Sequence, residues 1–452
     1  MHPTSLAIGT GLSSGILSHI LIFSKGEWDL YTIKILQGLL IVIGLLALSF
    51  KRLGTTEAGS PYSVFESTIA SIYMVSLIVP GTFCSIFLYR ICFIHRLYQF
   101  PGPLMAKVSN LYLTRRSVAQ FQLYKEIQNL YRTYGDIVRV GPSALSILGT
   151  KIFQAIHANN SPCRKGPWYN IEQPAISLHM SRDKNDHSRR RRAWDSAFSS
   201  KALRDYEPRV VKYTSQLLNR LEQSQATTID IAKWFKFYSF DTIGDLAFGQ
   251  SFNMLTGGVK HPFMALIESH MAMAGTFSQL IWMFPLFRAM PFLGREDAIF
   301  QKWLGNQVRH QEQVYHDVPS GLQRMTPAKG LQVGEIFIPG DTIVTVPSYT
   351  VYRDERYFTA PNDFVPERWM IKPEMVKDDS VFAPFSVGRY ACVGKQLGLM
   401  EVGYATCMNL HRFNICLFGE GTTTKPEFLK GLKDHFTLNA PELNVILTAR
   451  KH

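Results

Sequence analysis

Phe385-Ser386-Val387-Gly388-Arg389-Tyr390-Ala391-Cys392-Val393-Gly394 runs directly into Lys395-Gln396-Leu397-Gly398-Leu399-Met400-Glu401, and the reading of the whole chain turns on this stretch. Glycines stand four residues before and two after one cysteine, and the sequence beyond reads as a helix. Gly388 is free to take positive φ in a tight turn, and Gly394 permits close approach of a flat ligand, since neither carries a Cβ. A cysteine just ahead of a helix N-terminus feels the helix dipole and nearby amides, which favour its thiolate, and Arg389 adds positive charge.

The six cysteines, Cys84, Cys92, Cys163, Cys392, Cys407 and Cys416, are scattered and form no C-x-x-C pair. That pattern indicates neither a zinc site nor a disulfide framework, and it fits reduced thiols in a cytosol-facing domain. A single thiolate in a tight, partly apolar loop suits a haem iron better than zinc, which takes more protein ligands. From the residues alone, a buried free cysteine beside a turn is the competing reading.

The segment resembles the haem-binding signature of the cytochrome P450 family, F-x-x-G-x-R-x-C-x-G: Phe385, Gly388, Cys392 and Gly394 fall in register. Tyr390 stands where the family has arginine or histidine, which removes one expected contact to a haem propionate but leaves a hydroxyl able to donate. The resemblance implies haem b, with Cys392 as axial ligand of its iron and Phe385, Gly388 and Gly394 shaping the loop around it. His187 and Arg191, spaced i,i+4 and therefore on one helical face, resemble the family's W-x-x-x-R element with histidine replacing tryptophan; both are then expected at the propionates. Without the cysteine loop, Arg189 to Arg192 would read as a solvated basic face or a nucleic-acid patch. The apolar N-terminus and the lack of interleaved aromatics count against nucleic acid. Leu322-Gln323-Arg324 resembles another propionate-contacting site, Pro366-Glu367-Arg368-Trp369 the P-E-R-F box, and Phe240 to Gly249 a mid-chain helix of the family.

The likeness spans most of Pro101 to His452 and is nearest the fungal microsomal branch of secondary metabolism. It implies a mainly α fold with small β-sheets behind an N-terminal membrane anchor. The implied activity is a monooxygenase that oxidises an apolar small molecule. Electrons would come from NADPH through a flavin reductase docking on a basic proximal face. The net charge of +13 is consistent with such an acidic partner, or with an anionic membrane surface.

Residues 1–100 carry three apolar stretches, Leu6 to Phe23, Ile35 to Phe50 and Ile69 to Tyr89. A helix needs about 20 apolar residues to cross a bilayer, so the first two are marginal and the third is adequate despite Pro80-Gly81. A cleaved signal peptide is the alternative for the first stretch, but it lacks a basic leader and further apolar segments follow. Arg90, His95, Arg96 and Lys107 favour a cytosolic main domain at the endoplasmic reticulum, while Lys51 and Arg52 leave two or three spans open. Pro101-Gly102-Pro103 is a stiff elbow into residues 101–452, the catalytic domain.

Within that domain, Val118, Phe121, Leu130 and Tyr134 predict one helix from Arg116 to Tyr134, stopped by Gly135-Asp136. Ile137 to Val140 and Ala144 to Leu148 read as two strands around a turn, and Glu335 to Ile338 with Thr342 to Val346 as a hairpin. From His187 to about Phe300 the pattern is helical, broken at Gly257-Gly258, Pro285 and Pro291.

Two elements that the resemblance implies are missing around residues 305–320. No A/G-G-x-D/E-T motif is present: Ala274-Gly275-Thr276 has no acid before its threonine. No glutamate in the chain has arginine three positions later, so the E-x-x-R partner expected for Arg368 is lacking, and a buried unpaired guanidinium is costly. An exon missing from the gene model, or a genuine deletion, would each produce this. The second outcome leaves a catalytically inactive remnant as the alternative to a working monooxygenase.

Overall fold

The computed structural model describes residues 3–54, 60–290, 320–418, 425–435 and 437–450. It separates into two compact units, one of Met1–Tyr112, Arg139–Ser143 and Leu280–Asp297, the other of Leu113–Val138, Ala144–Gln279 and Ala298–His452.

The first unit is built on three apolar helices: α1 (Pro3–Ser18, prolonged by a π turn over His19–Phe23), α2 (Thr32–Leu53) and α3 (Val64–Ile91). The last two are long and apolar enough to cross a membrane. A capping box between Ser63 and Glu66 starts α3. Helices α1 and α3 touch backbone to backbone. A Cβ at Gly15 would lie 2.2 Å from the Ile78 carbonyl oxygen, and one at Gly81 2.5 Å from that of Leu12. The Ser18 and Thr82 hydroxyls meet at 2.9 Å, and His19 Nδ1 meets Ser85 Oγ at 2.8 Å. After the elbow comes the short α4 (Leu104–Val108).

In place of one helix from Arg116 to Tyr134 there are two, α5 (Leu111–Gln120) and α6 (Leu123–Tyr134). Phe121 breaks the helix in the left-handed region (φ +52°), its ring edge-on to His435, while the Gln122 amide donates to the Leu432 carbonyl at 3.2 Å. Tertiary contacts there outweigh a continuous helical pattern. Strands β1 (Ile137–Gly141) and β2 (Ala144–Ile147) form as expected, followed by α7 (Thr150–His157) and β3 (Arg164–Lys165).

The helical region contains α8 (Lys184–Ala197), α9 (Ser200–Glu222), β4 (Thr228–Asp230), α10 (Ile231–Phe248), α11 (Met254–Gly257), α12 (Pro262–Thr276) and α13 (Met283–Ala289). Gly249 ends α10 in the left-handed conformation. Pro285 does not break α13 but sits in its first turn, where a missing N–H costs nothing. Helix α13 belongs to the first unit, where Thr32 Oγ1 donates to the Trp282 carbonyl at 2.9 Å. Pro291 and the stretch expected to be incomplete, 305–319, lie outside the described residues.

Beyond it come β5 (Arg324–Met325), β6 (Leu331–Val333), β7 (Ile336–Ile338) and β8 (Ile343–Thr345). The expected hairpin of β7 with β8 does not form. β7 pairs antiparallel with β6, while β8 lies parallel to β2 and antiparallel to β5, which pairs with β3. The chain turns away at Gly340, whose Cα is so close to Ala328 that a Cβ would overlap its carbonyl, and at Asp341 (φ +53°). The remaining elements are α14 (Ser348–Val351), α15 (Lys395–Arg412), β9 (Phe413–Leu417), α16 (Lys425–Gly431), β10 (Lys433–His435), β11 (Thr437–Asn439) and β12 (Asn444–Ala449). A mainly α fold with small sheets is the outcome.

One apolar core joins Tyr213, Leu217 and Leu221 of α9, Trp234 and Phe237 of α10, Ala405 of α15, Phe413 of β9 and Val445 and Leu447 of β12. It fixes α15, and with it the cysteine loop that leads into α15. Asp241 of α10 is buried and accepts from the Met254 and Leu255 amides at 3.2 and 2.8 Å, tying α11 to this core.

Glu401 is buried on α15, and burial alone pushes its carboxyl up to about 7. A raised carboxyl value means that this group's stability contribution is complete below its unfolded value, near 4.5, and is lost as pH rises through about 7. The shift corresponds to on the order of 3 kcal/mol. Glu401→Gln is therefore expected to match the parent in thermal unfolding midpoint at pH 4 and to exceed it by several degrees at pH 8. Equal midpoints at both pH values would contradict the burial account.

Candidate functional site

The cysteine loop folds onto α7 and α8. Gly388 takes φ +69°, and a Cβ there would stand 2.3 Å from the His157 carbonyl oxygen at the end of α7, so only glycine fits on both counts. The Cys392 amide donates to the Phe385 carbonyl at 2.8 Å and closes the loop on itself. From α8, Arg191 Nη1 donates to the Ala391 carbonyl at 2.6 Å while its Nε pairs with Asp195 at 2.7 Å. Arg389 Nη1 donates to Ser188 Oγ at 3.2 Å. Arg189 and Arg190 of the same basic run both pair with Asp186.

Six of the seven site residues expected from sequence, His187, Arg191, Arg324, Phe385, Cys392 and Gly394, line one cavity. The seventh, Gly388, lies behind the loop and shapes it. His187 is buried with its ring edge-on to Tyr390, centroids 4.7 Å apart. Arg324 is buried on β5; its Nη1 donates to Tyr169 Oη at 3.3 Å and its guanidinium carbon lies 4.9 Å from the Tyr390 ring centre. Lys165, which sequence reasoning missed, places Nζ 4.8 Å from the same ring and donates to the Leu178 and His179 carbonyls. His157 and His179 also line the cavity unannounced. A lone lysine on a two-residue strand and isolated histidines carry no periodic or motif signal.

The electrostatics have one sign. Burial first, and then Lys165 and Arg191, lower His187 to about 3. Burial likewise holds His157 and His179 well below the usual histidine value, so all three rings are neutral at pH 7. Lys165, Arg191 and Arg324 remain as cations, and no acidic side chain lines the cavity among the described residues. Buried polar atoms of lining residues, among them His157 Nδ1, His187 Nδ1, Arg324 Nε, Ser386 Oγ and Tyr390 Oη, have no partner. Orphaned donors of this kind are costly unless a ligand meets them. The rest of the wall, including Phe153, Trp194, Phe198, Val346 and Phe385, is apolar. The cavity thus suits a flat apolar group bearing carboxylates, with a thiol at its wall, and the donor set fits haem.

The Cys392 thiol corrects an expectation. Burial raises it above its ordinary value; an amide hydrogen bond from Gly394 and the Arg191 charge oppose this without overcoming it. Arg389 is occupied at Ser188, so the loop does not produce a free thiolate by the helix terminus alone. Arg368, expected to be unpaired, is buried with its guanidinium donating to the Thr359, Ala360, Asp363 and Val365 carbonyls at 2.7–3.2 Å. Its hydrogen bonds are satisfied, and it forms no ion pair among the described residues, although Asp363 lines the same groove as Arg368.

The family model for cytochrome P450 matches residues 101–301 and 314–445. A cytochrome P450 monooxygenase of Fusarium pseudograminearum is 40% identical over 536 aligned positions, covering 96% of this chain and 96% of the relative. One from Eupenicillium brefeldianum is 33% identical, covering 84% and 97%. A tryprostatin B 6-hydroxylase of Aspergillus fumigatus is 29% identical, covering 96% and 95%. Among solved structures, the cytochrome P450DA haem domain superposes with a TM-score of 0.54 at 13% identity, covering 74% of this chain and 94% of that one.

Gly388→Ala is expected to push the loop off the His157 carbonyl and raise the rate of Cys392 labelling by a small maleimide about tenfold, a local opening cost of ~1.4 kcal/mol. An unchanged rate would mean that the loop absorbs the methyl group without moving.

Proposed function

This chain belongs to the cytochrome P450 family and is a haem-dependent monooxygenase, and on that premise we propose how its own residues hold the cofactor and where it works. Cys392 would hold the haem iron through its sulfur. Lys165, Arg324, Tyr390 and His187 form the propionate end, with Arg191 holding the loop by its Ala391 contact and adding positive charge. The observation that carries this is the set of orphaned buried polar atoms around a cationic cavity. When bound, haem supplies the activation of molecular oxygen and the transfer of one oxygen atom to substrate, with thiolate donation favouring cleavage of the O–O bond.

The residues contribute as follows. Arg324 Nε and the Tyr390 hydroxyl would donate to propionate oxygens, and Lys165, also close to the Tyr390 ring, would neutralise their charge. His187, kept neutral, would donate one ring N–H. The Phe153, Trp194 and Phe198 side chains exclude water from the apolar part of the wall. Cys392 would bind the iron as its thiolate, a form that the Gly394 amide and the Arg191 charge favour and that burial opposes, so binding would be coupled to proton release.

Residues 1–100 anchor the protein in the endoplasmic reticulum membrane through two or three spans, and residues 101–452 work on the cytosolic side. The length and apolarity of α2 and α3 support the anchor. Electrons come from NADPH through a membrane-bound flavin reductase with an acidic docking face, which the net charge of +13 favours. The substrate is an apolar small molecule of secondary metabolism; the relative that hydroxylates tryprostatin B supports a small-molecule substrate.

The test is the difference spectrum of the reduced, carbon monoxide-treated protein in microsomes. The parent chain is expected to give the red-shifted Soret band of a thiolate-ligated haem and Cys392→Ser to lose it. A parent chain without the band, or a Cys392→Ser variant that keeps it, would overturn the assignment. Lys165→Met removes one charge-assisted contact, ~1.5–3 kcal/mol, so haem transfer to apomyoglobin should accelerate at least tenfold. Parent-like retention would take Lys165 out of the cofactor site.

A further inference from the structure

Between the end of α3 and β1, the first unit gathers the basic side chains of Arg90, His95, Arg96, Lys107 and Arg139 around one another. Arg139 is wholly buried, at 0% exposure. Its Nε donates to the Gly141 carbonyl at 3.3 Å, and its Nη2 to the Pro142 and Lys107 carbonyls at 2.9 and 3.5 Å. Its Nη1 is buried and has no partner. Arg90 Nη1 likewise donates to a carbonyl, that of Val108. Arg90, Lys107 and Arg139 form no ion pair among the described residues. Carbonyls satisfy such donors one at a time and leave the net charge in place, and a buried cation without an anion is costly.

His95 makes the same demand. It is 5% exposed, and burial first, then Arg139, Arg96 and Arg90, lower it to about 3, so its ring is neutral at pH 7. A neutral imidazole has one accepting nitrogen and one N–H. Here both nitrogens face donors: the Leu97 amide meets Nδ1 at 3.0 Å, and Arg139 Nη2 meets Nε2 at 3.3 Å. Whichever nitrogen holds the proton, one N–H is turned towards another. An oxyanion accepts from several N–H groups at once and brings the negative charge that water lacks.

We infer that this cluster binds one phosphate group, with Arg139 Nη1 and the His95 ring as hydrogen-bond donors and Arg90 and Lys107 as flanking charges. Several cations about one point exceed what a single carboxylate charge offsets, whereas a phosphate offers more oxygens and suits a guanidinium. Helix α3 ends at Ile91, so the cluster begins at the edge of the span, where the phosphates of lipid headgroups lie. Free phosphate presents the same oxygens, and experiment separates the two sources. The Arg139 amide donates to the Pro101 carbonyl at 2.6 Å, which places the bound group at the elbow itself. The site rests on these hydrogen bonds within the first unit; only the lipid source rests on the anchor proposed above, and neither rests on haem.

The test is native mass spectrometry of the full-length chain released from nanodiscs. The discs hold phosphatidylcholine alone, phosphatidylcholine with inorganic phosphate in the buffer, or phosphatidylcholine mixed with phosphatidic acid. The parent chain is expected to retain one phosphatidic acid, one inorganic phosphate, or either in its own arm. Retention of the lipid alone makes a headgroup the source, and retention of inorganic phosphate alone makes it the free anion; both uphold the site. His95→Phe and Lys107→Gln should each weaken retention about tenfold, the effect of one charge-assisted contact. Lys201→Gln, the same loss of charge at an exposed position of α9, should leave it unchanged. Absence of either adduct from the parent overturns the inference. So does an adduct that Lys201→Gln weakens as much as Lys107→Gln, or one that Lys107→Gln and His95→Phe leave intact. A chain that does not enter the discs would refute the anchor instead, and the inorganic phosphate arm would then decide the site on the free chain.

Discussion

The contact between Gly388 and the His157 carbonyl is the constraint on which the site depends. It requires a residue without Cβ in the left-handed region, at the place where the loop before Cys392 meets the end of α7. With that point fixed, the Cys392 amide reaches Phe385, the Ala391 carbonyl reaches Arg191, and the thiol faces the cavity wall. The loop is therefore held from three sides by short-range hydrogen bonds and one backbone contact. It does not need a charge at Arg389 to hold the thiol in place, and Arg389 in fact points away, to Ser188.

Tyr390 explains how the chain tolerates a departure from the family signature. A base at that position would contribute one cation from within the loop. Here Lys165 and Arg324 each bring a cation within 5 Å of the tyrosine ring centre, and the His187 ring meets it edge-on. Positive charge is thus delivered from β3 and β5, two strands that pair with each other, instead of from the loop. The ring attracts both cations, and its hydroxyl stays available as a neutral donor. The position lost to sequence matching is compensated by residues 225 and 66 positions away in sequence (Lys165 and Arg324), which no local pattern could disclose.

Much of this was legible because it is local. The glycine spacing around Cys392, the i,i+4 pair His187 and Arg191, and the apolar N-terminal helices depend on near neighbours, and each took the form that its spacing implied. What failed was long-range. The break at Phe121 is set by His435 and Leu432, more than 300 residues on, and the pairing of β8 with β2 brings together strands almost 200 residues apart. A pattern of alternating residues marks Ile336 to Ile338 and Ile343 to Thr345 as strands but does not say which strand each will meet. The thiol was misjudged for a related reason: the helix terminus is visible in sequence, while the desolvation that outweighs it depends on what packs around the loop.

The core that holds α15 draws on α9, α10, β9 and β12. The position of Cys392 is therefore set by packing among these elements. Arg368 is held by four carbonyls close to it in sequence, so the stretch ahead of the cysteine loop is fixed by local hydrogen bonds, while the position of the thiol is fixed by the long-range core.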